Sequence, residues 1–98
     1  MSYQLQIKIE AIADMTQAFN WYEDQLKGLG TQFLNEVDLY FDRIVKNPMQ
    51  YKSFRYERIA IMHRFPYKIV YEIEKELIIV YAIYHNKRNP EVIAERKV

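Results

Sequence analysis

The apolar residues of this chain change period twice, and that change restricts the fold more than any single motif. In YQLQIKIE, residues 3–10, Tyr3, Leu5, Ile7 and Ile9 alternate with Gln4, Gln6, Lys8 and Glu10, the period of a half-buried strand. From Ala11 the spacing becomes helical. Ala11, Met15, Ala18, Tyr22 and Leu26 recur at helical steps, and Phe19 widens the stripe. KGLG, with Gly28 and Gly30, supplies the permissive dihedrals of a helix–helix corner. A second helix carries Phe33, Val37, Phe41 and Ile44 inward, flanked by Leu34, Tyr40 and Val45. It stops at Asn47–Pro48, because the residue before proline is pushed out of helical dihedrals. The two helices are expected to pair as an antiparallel hairpin.

The second half returns to strand patterns. Arg58 to Phe65 is rich in β-branched and bulky apolar residues, Lys68 to Glu74 alternates, and Leu77 to Tyr84 is apolar throughout. Pro66 marks a turn, and EKE at 74–76 makes a short link without the Asn-Gly signal of a tight hairpin. After Pro90, Glu91 to Val98 reads as one or two frayed helical turns. The expected fold class is α+β, in the order β-αα-βββ. A helical hairpin covers one face of an antiparallel sheet, the strand ending at Tyr84 is central, and a short C-terminal tail follows. The other sheet face then has no partner of its own, and several of the nine tyrosines are expected there as a binding surface. For any one tyrosine, packing with a solvated hydroxyl is the commoner role.

Composition bounds the function. Ninety-eight residues, half of them apolar, fit one compact domain over residues 1–98. No cysteine is present, in keeping with a reducing cytoplasm. The longest apolar run, Leu77 to Tyr84, is far short of the ~20 residues of a membrane span, and no leader pattern opens the sequence. A soluble, cytoplasmic protein is expected. The formal charge of +1 hides an asymmetry: residues 1–47 hold four basic and seven acidic side chains, residues 48–98 ten and six. The basic half suits an acidic peptide or a phosphate backbone but lacks the density of a dedicated duplex binder. Two histidines, His63 and His85, give no metal-ligand spacing, and GLG lies between helices instead of after a strand, so neither metal nor cofactor is expected.

Several segments, in order, carry a resemblance: GLG with Phe33-Leu34; Asn47-Pro48 with Tyr51; Arg64-Phe65-Pro66-Tyr67 with Ile69 and Tyr71; and YAIYHNKRNP, holding His85, Arg88 and Pro90. Together they resemble the RelE/ParE superfamily of toxins from type II toxin–antitoxin modules, over nearly the whole chain. The resemblance implies the β-αα-βββ fold, a growth inhibitor, and a cognate antitoxin whose C-terminal segment orders as it wraps the toxin. It leaves two targets open. Members like ParE bind DNA gyrase, whereas members like RelE cut messenger RNA on the ribosome. A solitary, non-toxic member is a third reading.

For a nuclease the resemblance implies catalytic roles for His85, as base or acid, and for Arg64 and Arg88, as phosphate-holding cations. His63 is the weaker histidine. Lys68, Tyr84, Lys87, Tyr67 and Tyr71 are the expected substrate or partner contacts. The bland alternative stands beside each role: a histidine often simply ends a strand, Arg64 can brace the turn at Pro66, and NKRNP can be a solvated loop. GLG, RFPY and the short tail resemble the ParE branch more closely. A homodimer through the helical hairpin is permitted but not required.

Overall fold

The computed structural model describes residues 2–87. The expectations for Arg88, Pro90 and the helical turns at 91–98 lie outside these residues. The elements are β1 (Gln4–Ile7), α1 (Ile9–Gln25), α2 (Leu29–Lys46), β2 (Ser53–Phe54), β3 (Glu57–Ile61), β4 (Tyr67–Glu74) and β5 (Leu77–His85). They form an α+β fold in which two helices pack on a five-stranded sheet of order β1-β5-β4-β3-β2. As expected, β5 is an interior strand, flanked by β1 and β4.

The sheet is mixed, which corrects the all-antiparallel expectation: β1 pairs with β5 in parallel. The Lys8 amide donates to the Val80 carbonyl at 2.9 Å, while the Lys8 carbonyl accepts from the Ile12 amide at 3.1 Å and so opens α1. One residue links β1 to α1, and α1 runs onward along β5. Asp14 then meets Ile83, and Trp21, a further two turns along, lies beside His85. Ile9 was expected on the strand's inner face; it starts α1 instead and is 77% exposed.

The helix corner follows from its glycines. Gly28 adopts φ 90°, a left-handed conformation that suits glycine. A Cβ at Gly30 would lie 2.7 Å from the Phe19 carbonyl oxygen, so this glycine lets α1 and α2 approach closely. The Glu23 carboxylate accepts from the amides of Gly28 (2.9 Å) and Gly30 (3.0 Å), placing an anion at the start of α2.

Between the helices and the sheet lies the main core. Ala11, Ala18, Tyr22, Phe33, Val37, Tyr40 and Ile44 meet Ile69, Tyr71, Ile78, Val80 and Ile83. Tyr22, Phe33, Phe65 and Tyr67 form a ring cluster with centroids 4.9 to 6.0 Å apart. On the opposite face, Val70, Ile79, Tyr81, Ala82 and Tyr84 form a second buried cluster, bordered by Ile59 and Leu77. The expected open tyrosine platform is therefore absent at these positions. Both central strands carry apolar residues on both faces, and those residues pack together.

Two strand boundaries also differ from expectation. The strand expected through Phe65 ends at Ile61, because the buried Glu36 carboxylate of α2 accepts from the amides of Arg64 (2.9 Å) and Phe65 (3.3 Å) and draws that backbone out of the sheet. The two-residue β2, too short to leave a periodic signal, pairs Ser53 with Arg58 and Phe54 with Glu57.

Candidate functional site at the ends of β4 and β5

A bulge decides which residues share a face here. Between Val70 and Tyr71 the register slips: Tyr71 pairs with Val80 and Val70 with Ala82, leaving Tyr81 as the extra residue. Side-chain parity reverses beyond it. Ile83 and His85 thereby face the helices, and Tyr84 faces outward with Lys68, its pairing partner. Without the bulge His85 and Tyr84 would exchange faces.

On the helix side His85 is half-buried and lies edge-on to Tyr67, with ring centroids 5.4 Å apart at 75°. Its Nδ1 accepts from the Lys87 amide at 3.2 Å, which leaves Nε2 as the donor nitrogen of the neutral ring. The Asn86 amide donates to the Pro66 carbonyl at 2.9 Å and ties this end of β5 to the turn before β4. A half-open cleft of about 210 Å³ lies alongside, lined by Asp14, Gln17, Trp21, Tyr67, Tyr84 and His85, with Ala18 and Ile83 at its apolar floor. Asp14 is buried, and its Oδ2 accepts from the Ile83 amide at 3.0 Å, capping β5 beyond the end of β1.

The other expected site residues are dispersed. Arg64 is exposed, but its guanidinium donates to Gln32 Oε1 at 2.9 Å and lies 5.9 Å from the centre of the Phe65 ring. Lys68 Nζ sits 5.5 Å over the Tyr84 ring on the outer face, where Tyr84 is only 3% exposed. Lys87 and His63 are exposed. The expectation for Tyr71 as a contact residue is corrected. It is fully buried on the helix side, its hydroxyl donates to the Pro48 carbonyl at 2.6 Å, and burial pushes its pKa up to about 12. Burial likewise raises the phenol of Tyr22, with Tyr67 adding to the effect. Tyr51 is raised for the same first reason, partly offset by Arg43.

Sequence reading passed over Asp14, Trp21 and Glu36. Asp14 stands in register with Ala11 and Ala18, and Glu36 with Phe33 and Tyr40, so each is a carboxylate within an apolar stripe. That position is the signal that each accepts from buried backbone. Among the described residues no group of three or more His, Cys, Asp or Glu comes together to hold a metal, and no helix is long and apolar enough to cross a membrane.

Residues 5–90 match the family model of the ParE toxin of the type II toxin–antitoxin system parDE. The chain belongs to this toxin family. Its fold is similar to a chain of the chromosomal ParDE toxin–antitoxin system from P. aeruginosa, with a TM-score of 0.76 over 85% of this chain and 95% of that one, at 12% sequence identity. No curated protein matches the sequence. ParE membership agrees with the branch that the GLG, RFPY and short-tail features favour.

Proposed function

We propose that the chain is the growth-inhibiting toxin of a parDE-type module, that it acts in the cytoplasm by binding DNA gyrase, and that a cognate antitoxin silences it. Beyond family membership, one observation favours gyrase over RNA cleavage. Acid–base cleavage needs its groups to converge within hydrogen-bond reach of one substrate. Here the described candidates are divided: His85, Tyr67 and Tyr84 border one cleft, Lys68 lies on the outer face, Arg64 is bonded to Gln32, and Tyr71 is in the core. An assembly so divided suits a binding surface better than a hydrolytic centre.

The antitoxin reading has its own support in the helical hairpin. Ile12, Met15, Thr16, Phe19 and Leu34 line an apolar furrow of about 230 Å³. An amphipathic segment that orders on contact would cover such a furrow.

Induction of the chain without antitoxin, followed by pulse-labelling, tests the target. DNA synthesis is expected to fall before protein synthesis, and the purified chain is expected to inhibit supercoiling by gyrase. Rapid loss of translation with supercoiling intact would replace this reading with the ribosome-dependent nuclease, for which His85→Ala should abolish toxicity. Unimpaired growth would mark a non-toxic member.

A further inference from the structure

We propose that the outer margin of the sheet, formed by the β2–β3 hairpin and the end of β3, is the surface with which this toxin grips its target protein. The inference rests on the toxin reading above and names the contact surface. Pairing of Phe54 with Glu57 places Phe54 on the same face as Ile59 and Ile61, and Tyr56 stands in the two-residue turn between the strands. Phe54 is 55% exposed, Tyr56 81% and Ile61 62%, and none of the three belongs to either core cluster. Three large apolar side chains are thus exposed along one margin of the sheet, with Phe54 and Ile61 roughly 13 Å apart along β3.

The margin is held in shape. The Arg58 guanidinium donates to the carbonyls of Met49 (3.1 Å) and Tyr51 (2.7 Å), fixing the base of the hairpin to the segment that follows α2. Arg55 has φ 60° and lays its guanidinium 5.7 Å over the Phe54 ring. Together with the exposed Lys52 it puts two cations at the apolar edge, beside the half-buried Glu57 that pairs with Phe54. Aromatic side chains and arginine on a rigid element are the composition of binding hot spots. The matching partner is a folded protein with an apolar pocket rimmed by carboxylates. A nucleic acid fits less well, because two cations, Lys52 and Arg55, are few for a phosphate backbone. The apolar furrow proposed for the antitoxin lies on the helices, on the other side of the sheet from this margin.

The test uses the full chain and gyrase. Phe54→Ser with Tyr56→Ser, and separately Lys52→Glu with Arg55→Glu, are compared with the unaltered protein in supercoiling inhibition, growth inhibition and antitoxin binding, with circular dichroism as the fold control. The expected result is a loss of about 30-fold or more in inhibitory potency with antitoxin binding unchanged. Should the double variant fail to fold, Tyr56→Ser alone, at the most exposed of the three, is expected to lose about 10-fold or more. Full potency in the folded variants overturns the proposal. So does selective loss of antitoxin binding, which would make this margin the antitoxin seat, or relief of inhibition by short single-stranded DNA, which would make it a nucleic-acid contact. If the unaltered chain leaves gyrase active, the gyrase reading falls and growth decides the rest: variants that no longer arrest growth support this margin as the grip on another target, and variants that still arrest growth overturn it. Absence of growth inhibition by the unaltered chain overturns both readings.

Discussion

The helix-facing side of the sheet and its outer margin contain similar side chains in opposite situations. Phe33 is fully buried, within ring contact of Tyr22, Phe65 and Tyr67; Phe54 stands more than half in solvent with an arginine over its ring. Burial of the first group supplies hydrophobic and ring-packing energy that holds α1 and α2 on the sheet. The second group contributes little of either. An aromatic residue that folding does not use is open to selection for contact with something else, so the contrast separates residues of stability from residues of recognition.

The largest expected effect cuts across that contrast directly. Phe33→Ala should cost about 3–5 kcal/mol by removing a ring from the closed cluster, whereas Phe54→Ala should stay within about 0.5 kcal/mol. Urea unfolding at constant m-value measures both. Equal losses would erase the distinction and, with it, the reason to treat the margin as a binding surface.

A second effect sharpens the comparison through pH. The Tyr71 phenol is neutral when protonated, and burial raises its pKa from 10.0 to about 12 in the folded chain. Its contribution to stability is therefore complete below pH 10 and lost as pH climbs from 10 to 12, by up to about 2–3 kcal/mol. Tyr71→Phe should flatten that alkaline loss while leaving the Pro48 carbonyl without its 2.6 Å donor, a cost of about 1–3 kcal/mol at neutral pH. Stability measured against pH for Tyr71→Phe and the unaltered chain checks this.

Much of the fold was legible because its periods are distinct: two for β1, 3.6 for the helices, and β-branched runs for β3 to β5. The parts that escaped are those that leave no period. β2 is two residues long. The parallel direction of β1 is set by its pairing with β5 at the far end of the chain, which leaves no compositional mark. The bulge at Tyr81 was silent for a stronger reason. In an alternating strand an extra residue interrupts the alternation, but LIIVYAIY is apolar at every position, so nothing in it records the reversal of faces. That reversal puts His85 and Lys68 on opposite faces, which is why residues that looked like one site are divided. Asp14 and Glu36 were legible in principle, as carboxylates in apolar register.

The smallest expected effect concerns the two tight turns. Lys75, between paired Glu74 and Leu77, has φ 57°, and Arg55, between paired Phe54 and Glu57, has φ 60°. A side chain in the left-handed region costs about 1–2 kcal/mol relative to glycine, and glycine returns about 0.5–1 kcal/mol of that through the extra freedom of the unfolded chain. Lys75→Gly should therefore stabilise the fold by roughly 0.5–1 kcal/mol, read as a higher urea midpoint at unchanged m-value. Arg55→Gly relieves the same backbone strain and should raise the midpoint by a similar amount, yet it removes a cation from the proposed grip and should weaken target inhibition, whereas Lys75→Gly should not. If the two glycine variants inhibit alike, Arg55 contributes nothing at the margin, and its guanidinium serves only to cover the Phe54 ring.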